Sequence, residues 1–202
     1  MMQRLADFRA DAVFERVLAT GARTVLDLGC GAGDLLMRLV GAAQIERVTA
    51  VDFDRQAVRE LERRLAEEAP NIVGAVAAIQ ASFCERDPRF PGHDVVVMAE
   101  SIEHVSPERL SQVENAVFGF AQPKHVILTT PNREYNPMLK LRRGRMRHPD
   151  HKFEWDRRKF GAWCEGVAAR HSCRLEIFGM GWTHPAFGAA SQGAHFVFEA
   201  AA

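Results

Sequence analysis

The sequence lacks the features that mark several specialised classes of protein. Its four cysteines, at positions 30, 84, 164 and 173, form no C-x-x-C pair, which argues against a zinc knuckle and against a redox pair. No apolar run approaches the roughly 20 residues needed to span a bilayer, and the N-terminal residues hold no apolar core of a signal peptide. These absences predict a cytoplasmic protein with reduced thiols and no membrane partner.

A net charge is also missing, because the 26 basic and 26 acidic residues cancel. Attraction of the whole molecule to nucleic acid is therefore not indicated. The charge is uneven, however, since residues 140–159 contain nine basic side chains and three acidic ones. The basic ones are Lys140, Arg142, Arg143, Arg145, Arg147, Lys152, Arg157, Arg158 and Lys159. Such a run is compatible with a phosphate backbone as partner, and equally with a solvated surface.

Short apolar runs alternate with amphipathic segments along the chain. The predicted strands are Thr24–Leu28, Val48–Val51, Gly74–Ile79, Asp94–Met98, His125–Thr130, Leu175–Phe178 and His195–Glu199. The predicted helices cover residues 3–20, Asp34–Val40, Asp54–Glu68, Pro107–Phe120 and Asp156–His171. This alternation predicts an α/β protein with a Rossmann-like, seven-stranded and mostly parallel sheet and helices on both faces. Residues 131–155 interrupt it with a polar segment, and loops of this length are usually functional or disordered.

A glycine-rich turn, at Gly29, Gly31 and Gly33, lies between the first predicted strand and the following helix. Glycine permits positive φ and lets a ligand approach the backbone closely. Asp52 ends the next strand, where a carboxylate can bind ribose hydroxyls. The G-x-G-x-G spacing differs from the G-x-G-x-x-G of dinucleotide sites. Asp27, which precedes the first glycine, suits a cationic or hydrogen-bond-donating group better than a pyrophosphate.

This arrangement resembles motif I of the S-adenosylmethionine-dependent methyltransferases, and so predicts the class I methyltransferase fold. The resemblance implies that Asp27 lies near the amino-acid moiety of the cofactor and that Asp52 binds its ribose. It also implies an adenine contact at Ser82, which follows the third predicted strand. Phe53 either flanks the adenine ring or is buried in the core. The predicted cofactor-binding residues are Asp27, Gly29, Gly31, Asp52, Phe53 and Ser82.

Three potential metal ligands, Glu100, Glu103 and His104, directly follow the fourth strand, at the edge where open α/β sheets bind ligands. On a helix, their spacing would place all three side chains on one face. A single pair of this kind is better explained as solvated charge, but three at one edge favour a divalent cation. His148 or His151 can supply a fourth ligand. His151 is the better candidate, which leaves His148 as a base or an RNA contact.

Three motifs, Glu100–His104, Thr130–Asn136 and Asp150–Trp155, together resemble the HEN-type small-RNA 3′-terminal 2′-O-methyltransferases. The resemblance extends from about Thr24 to Gly181. It implies a divalent ion that engages the 2′ and 3′ hydroxyls of the terminal ribose, with methyl transfer to the 2′ oxygen. The implied metal ligands are Glu100, Glu103, His104 and His151. The predicted catalytic residues are His104, His148 and His151.

The predicted chemistry suits these residues. Coordination to a cation lowers the pKa of a ribose hydroxyl and aligns it with the methyl sulfonium, and a nearby histidine can accept the proton. Two imidazoles favour Mn²⁺ or another transition ion over Mg²⁺. The predicted cofactors are therefore S-adenosylmethionine and a divalent cation, Mn²⁺ or Mg²⁺. The predicted partner is an RNA 3′ end with a free 2′,3′-diol, whose preceding phosphates contact Arg142, Arg143, Arg145 and Arg147.

No linker rich in Gly, Pro or Ser divides the chain, so we expect one methyltransferase domain over residues 1–202. Residues 1–20 form its leading helix, and residues 131–155 form a substrate- and metal-site insertion. The chain is either a minimal member of the family or the catalytic domain of a longer one. The resemblance implies an RNA-repair or RNA-delivery protein as a further partner.

Two other functions compete with this one. A metal-dependent O-methyltransferase of a small vicinal diol, such as a catechol, would use the same chelation, but the basic segment would then have no purpose. A protein that binds the cofactor without turnover is the third alternative. The complete set of potential ligands argues against it, because a decayed enzyme should lose charged site residues first.

Overall fold

The computed structural model describes residues 2–69, 75–142 and 144–199, with side chains from residue 8 onward. The strands are β1 (Thr24–Leu28), β2 (Arg47–Asp52), β3 (Ala75–Gln80), β4 (Val95–Ala99), β5 (His125–Pro131), β6 (Arg174–His184) and β7 (Gly188–Val197). The α-helices are α1 (Met2–Ala19), α2 (Asp34–Leu39), α3 (Arg55–Glu68), α4 (Leu110–Glu114) and α5 (Arg157–His171). The described residues include no helix long and apolar enough to cross a membrane.

The strands form one seven-stranded sheet in the order β3-β2-β1-β4-β5-β7-β6. All neighbours are parallel except β7, which runs antiparallel to both β5 and β6. The predicted fold class is therefore confirmed. Because the first five strands are parallel, their carboxyl ends meet at one edge, where the predicted site residues lie.

Helices cover both faces of the sheet because successive strand residues point to opposite sides. The core on the face of α1, α2 and α3 includes Val13, Val17, Val25, Leu36, Leu61 and Val97. The core on the face of α4 and α5 includes Leu26, Leu28, Phe118, Phe160 and Phe196. This packing leaves the strand ends as the place for a polar site.

Capping explains where two of the helices begin. The side chain of Asp54 accepts a hydrogen bond from the backbone N–H of Gln56 at 2.8 Å, and that of Asp156 accepts one from Lys159 at 2.7 Å. Both aspartates therefore precede their helix as N-caps, one residue before the α-helical bounds. Gly74, the predicted start of the third strand, lies outside the described residues.

The continuous helix predicted over Pro107–Phe120 is wrong. The structure has a 3₁₀ turn at Pro107–Arg109, then α4, then a π-helical segment at Asn115–Ala121. Ser106 occupies the N-cap position of the 3₁₀ turn, but its side chain makes no capping hydrogen bond. The wider π turns let the neighbouring Val117 and Phe118 both be buried against the sheet.

The last two strands are longer than predicted. Gly188–Gly193, which precedes the last predicted strand, is the first part of β7 and pairs with β6. The small side chains here serve close packing rather than a turn. A Cβ atom at Gly193 would lie 2.4 Å from the ring of Phe178, closer than packed atoms can approach.

Replacement of Gly193 tests this close approach. We expect Gly193→Ala to lower the free energy of unfolding by about 1–3 kcal/mol, because the added methyl group overpacks the ring of Phe178. Gly161→Ala in α5 is the control, since its Cβ would meet its nearest neighbour at 3.6 Å. The control should be stabilised by about 0.4–1 kcal/mol. Urea unfolding measures both, and equal stability of Gly193→Ala and the unsubstituted protein would refute the steric explanation.

Candidate active site

The glycine-rich turn is held against the end of β2. The N–H of Gly29 donates to the carbonyl oxygen of Val51 at 2.8 Å, and the N–H of Gly31 donates to Oδ2 of Asp52 at 2.9 Å. The other carboxylate oxygen of Asp52 accepts from the N–H of Asp54 at 2.9 Å. Each oxygen retains a second lone pair, so Asp52 can fix the turn and still accept hydrogen bonds from ribose hydroxyls.

Gly29 and Gly31 of this turn differ in what surrounds them. Gly29 and Gly31 both have positive φ, 82° and 50°. A Cβ atom at Gly29 would lie 2.5 Å from Cβ of Ser101, whereas one at Gly31 would meet nothing within 4 Å. Gly29 therefore allows the turn to touch the segment that follows β4, and Gly31 leaves open space beside the backbone.

Asp27 is a buried carboxyl group, 2% exposed, beside this turn. Burial, together with the charge of Asp52, raises the pKa of Asp27 to about 7. A cation next to Asp27 would favour its ionised form. The α-ammonium group of S-adenosylmethionine is such a cation, so this residue fits the role predicted for it.

Phe53 is 65% exposed, which rules out the alternative that it is a core residue. The side-chain amide of Gln80, at the end of β3, donates to the carbonyl oxygen of Phe53 at 3.2 Å. Ser82 follows β3 and is half-buried, with its hydroxyl oxygen accepting from the N–H of Cys84 at 3.2 Å. An exposed ring and a polar turn beside the open space at Gly31 fit an adenosine cofactor.

The prediction that Glu100, Glu103 and His104 share a helix face is wrong. Only Ile102–His104 forms a helical turn, of the 3₁₀ type, and Glu100 has a φ of 52°. A non-glycine residue in this region costs of order 1–3 kcal/mol and persists only where the surroundings hold it. The chain turns sharply away from β4 at this point, so the three side chains lie at a strained corner instead.

The carboxylates of Glu100 and Glu103 have different neighbours. Oε1 of Glu103 lies 4.0 Å from Nε2 of His151, and its Oε2 accepts a hydrogen bond from the hydroxyl of Thr130 at 3.0 Å. Oε2 of Glu100 pairs with a guanidinium nitrogen of Arg9 at 3.3 Å. The Oε1 atoms of Glu100 and Glu103 are both buried and have no hydrogen-bond partner among the described residues.

Unpartnered buried oxygens are costly, and they need a compensating group. Burial, with the charge of Glu100 second, raises the pKa of Glu103 well above its ordinary value. A bound cation would offset both effects by supplying charge and occupying the free lone pairs. These carboxylates therefore fit a divalent cation, in agreement with the chemistry of the predicted ligands.

Two histidines complete the corner, each oriented by a carboxylate. Nδ1 of His104 lies 3.1 Å from Oδ2 of Asp150, and Nδ1 of His151 lies 2.7 Å from Oε1 of Glu154. A carboxylate partner places the proton on Nδ1 and leaves the lone pair on Nε2. Burial lowers the pKa of His104, which keeps that imidazole neutral. The two rings are 4.9 Å apart, so both Nε2 atoms are available to one ligand site.

His148 lies close to both histidines: among the described residues, the possible metal ligands with atoms all within 4.8 Å of one another are His104, His148 and His151, without Glu100 or Glu103. Its Nδ1, however, accepts a hydrogen bond from the N–H of Asp150 at 3.2 Å. This pattern assigns the proton of the neutral ring to Nε2. His148 is then a hydrogen-bond donor at Nε2, which suits an RNA contact better than a base or a metal ligand.

Sequence reasoning missed the residues that orient these groups. Asp150 and Glu154 flank His151 in the chain, and a carboxylate three positions after a histidine was the signal that could have identified Glu154. Thr130 and Arg9 gave no local signal, because each reaches the site from a distant part of the chain.

The expectation for Arg147 is corrected by the structure. Its Nε donates to Oδ1 of Asn136 at 2.7 Å and its Nη2 to the carbonyl oxygen of Asn132 at 2.6 Å, while Nη1 is buried. Arg147 therefore holds the insertion to the end of β5 and does not project into solvent towards phosphates. Arg143 lies outside the described residues. The other seven basic side chains of residues 140–159 are exposed.

Comparison with known families gives one match to a family model. The model described as a methyltransferase domain matches residues 25–124. Among curated relatives, the small RNA 2′-O-methyltransferase of Gallus gallus is 34% identical over 165 residues, which are 79% of this chain and 44% of the relative. That of Arabidopsis thaliana is 29% identical over 195 residues, 88% of this chain and 21% of the relative. The chain thus spans less than half the length of these relatives.

Two solved structures are similar over nearly the whole chain. The methyltransferase domain of bacterial CtHen1-C is 33% identical with a TM-score of 0.87, and the match covers 97% of this chain and 100% of that one. The small RNA methyltransferase HEN1 is 29% identical with a TM-score of 0.89, covering 96% of this chain and 26% of that one.

The buried carboxyl group of Asp27 predicts a pH dependence of stability. Its pKa rises from 3.8 to about 7 on folding, so its stabilising contribution is complete below pH 3.8 and is lost as the pH rises to about 7. In cofactor-free protein, this group should make the free energy of unfolding fall as the pH rises through this range. Asp27→Asn should make that fall smaller, by at most on the order of 4 kcal/mol. Urea unfolding at several pH values measures the difference.

The exposed substitution Glu62→Gln serves as the control and should leave the pH dependence unchanged. If Asp27→Asn and the unsubstituted protein lose stability equally with rising pH, the carboxyl group ionises in the folded protein as it does in the unfolded chain.

Proposed function

Because the chain belongs to the HEN1-type family of small RNA 2′-O-methyltransferase domains, we propose that it methylates the 2′ hydroxyl of the 3′-terminal nucleotide of an RNA. The methyl donor is S-adenosylmethionine, and the reaction requires a divalent cation. The activity and substrate remain proposals because the chain covers only part of its full-length relatives.

The observation that carries this proposal is the contact between two turns. The glycine turn meets Ser101 at Gly29, and Ser101 stands between Glu100 and Glu103. A cofactor bound along the glycine turn is thus adjacent to the corner with two unpartnered carboxylate oxygens. A methyl donor and a chelated acceptor require this adjacency.

The residues that would hold the cation are Glu100, Glu103, His104 and His151. When bound, the cation would lower the pKa of the ribose hydroxyl and hold both terminal hydroxyls. The carboxylates of Glu154 and Asp150 lie at hydrogen-bond distance from Nδ1 of His151 and His104, which orients the two rings and favours the neutral tautomer with its lone pair on Nε2. Burial raises the pKa of Glu154, but hydrogen bonds led by His151 outweigh it and keep the pKa below its ordinary value, so the carboxylate stays charged.

His148 is exposed at the rim of this corner and presents a donor N–H from Nε2. We assign it to contact with the terminal nucleotide. A protein partner in RNA repair or RNA delivery remains a prediction. A Hen1 protein occurs in a solved Pnkp1/Rnl/Hen1 RNA repair complex, but that chain is 16% identical to this one, and the similarity shows the fold alone.

Metal dependence is the first test. Glu103→Gln and His151→Ala should each abolish most methyl transfer and weaken Mn²⁺ binding, because removal of one ligand leaves the others unable to hold the ion in place. Mn²⁺ binding is measured by calorimetry in the absence of RNA, and methyl transfer is measured with and without excess chelator.

The matched control is Glu108→Gln, an exposed carboxylate outside the corner. It should bind Mn²⁺ as the unsubstituted protein does. Full activity in excess chelator would contradict the metal mechanism. If His148→Ala abolishes Mn²⁺ binding and His151→Ala does not, the assignment of the fourth ligand is wrong.

Recognition of the RNA end is the second test. If both terminal hydroxyls are held, RNAs with a 3′-phosphate, a 3′-deoxy end or a 2′-deoxy end should not be methylated. An RNA with a free 2′,3′-diol should receive one methyl group on its last ribose. Mass mapping of the products locates the methyl group.

Catechol provides the comparison for a small vicinal diol. Equal turnover of catechol and RNA would favour the small-molecule function instead. A methyl group on an internal ribose or on a base, or turnover of the 3′-deoxy RNA, would contradict recognition of the terminal diol.

A further inference from the structure

A cavity of about 310 Å³ lies beside the candidate active site, between the insertion and the start of α5. Its volume falls at the lower end of the range for ligand pockets, about 300–1,000 Å³. Six of the residues that line it are Arg133, Arg145, Met146, Lys152, Trp155 and Lys159. Four of these six are cations, and they come from three separate parts of the chain.

Backbone hydrogen bonds assemble these parts and tie them to the corner with the carboxylates. The N–H of Arg133, just after β5, donates to the carbonyl oxygen of Trp155 at 3.0 Å. The N–H of Lys152 donates to the carbonyl oxygen of Glu103 at 2.7 Å. Since Lys152 also directly follows His151, the cavity and the proposed metal site share a wall.

Among the four cations of this cavity, Lys152 pairs with Asp150 at 2.9 Å, but the two arginines differ from many others of the protein. Elsewhere, arginines such as Arg16, Arg63 and Arg170 form ion pairs with nearby glutamates. Within the described part of the chain, Arg133 and Arg145 take part in no ion pair. An exposed arginine without an acidic partner is free to bind an anion.

Glu154 and Asp156 also line the cavity and offset part of this charge, but their carboxylates hydrogen-bond to other groups of the protein. Glu154 accepts hydrogen bonds from the side chains of His151 and Asn136 at 2.7 and 2.6 Å. Asp156 caps α5 through the N–H of Lys159. The ammonium group of Lys159 lies 5.5 Å above the ring of Trp155, which keeps it at the wall of the cavity.

We propose that this cavity binds a backbone phosphate of the RNA close to its methylated 3′ end, with Arg133 and Arg145 as the principal contacts. This inference rests on the proposed function. A phosphate is favoured over a base because Trp155 is only 5% exposed and its ring is stacked on Phe153 at 4.3 Å. No aromatic face of Trp155 is free for a base. The contact between this cavity and the RNA therefore depends on the phosphate charge and not on the identity of the base.

The test is the binding of a short single-stranded RNA with a free 3′ diol, followed by fluorescence anisotropy at several salt concentrations. The double variant Arg133→Gln/Arg145→Gln should bind several-fold more weakly. The slope of log affinity against log salt should fall by roughly 0.7 for each phosphate contact removed from a single strand. The loss of methyl transfer should appear mainly as a raised KM for the RNA, because neither side chain touches the cofactor turn or the carboxylate corner.

Arg59→Gln is the matched control, because Arg59 is exposed on α3 and lies outside the cavity. It makes the same change of charge and should leave the affinity unchanged. The double variant Arg133→Lys/Arg145→Lys keeps the charge and should restore most of the binding.

RNAs with one neutral methylphosphonate linkage locate the phosphate. The unsubstituted protein should lose affinity when the neutral linkage stands at one of the last few positions. The Arg133→Gln/Arg145→Gln variant should lose no further affinity at that position. Additive losses at every position would overturn the assignment.

The outcomes separate this inference from the proposed function. If the double variant has the affinity and salt slope of the unsubstituted protein while RNA is methylated, the cavity is not a phosphate site and the proposed function stands. If the double variant binds RNA weakly but the unsubstituted protein transfers no methyl group, the cavity stands and the proposed function fails. Failure of the unsubstituted protein to bind RNA overturns both.

Discussion

The approach of the glycine turn to the segment after β4 is the contact on which the candidate site depends. It exists because β1 and β4 are parallel neighbours, with Asp27 opposite Val97 in the register. Their carboxyl ends therefore leave the sheet side by side, and only a glycine at position 29 allows the backbone to pass Ser101. Through this contact the proposed sites for a cofactor and for an acceptor lie next to each other.

Buried carboxyl groups set the electrostatics of this region. Asp27 and Glu103 are both almost fully buried, and burial is the main cause of the raised pKa of each. Among the described residues, neither forms an ion pair with a lysine or an arginine, although Arg9 pairs with the neighbouring Glu100 and His151 lies 4.0 Å from Glu103. A fold that keeps unpaired carboxylates out of water loses stability, and such groups are typical of positions that bind a cation. The two carboxyl groups thus fit the two cations of the proposed function, one in each turn.

The insertion between β5 and α5 is not a free loop, because hydrogen bonds between its side chains hold it in place. Arg147 and Glu154 both bond to Asn136, and Arg147 also reaches the carbonyl oxygen of Asn132. The same Glu154 orients His151. Because these polar groups satisfy one another, the segment can keep His151 at the corner while its other described cations are exposed. The predicted basic segment is thus divided into one internal arginine and several exposed cations.

Local pattern was sufficient for much of the architecture. The apolar runs predicted all seven strands, and Asp52 could be identified as a strand end from spacing alone. The glycine spacing predicted the kind of cofactor, because a turn of this type depends on residues next to one another. The π-helical segment at Asn115–Ala121 and the strand at Gly188–Gly193 escaped prediction. Both depend on packing against distant residues, which local propensity does not contain.

The sequence by itself determined which residue types are available and roughly where each strand ends. It could not determine that Glu100 would turn away at positive φ, or that Arg147 would be drawn inward. Those outcomes depend on contacts between segments far apart in the chain, such as Arg9 with Glu100 and Arg133 with Trp155. Only the tertiary structure decides such contacts, because burial and hydrogen-bond satisfaction are properties of the packed chain and not of any short segment of it.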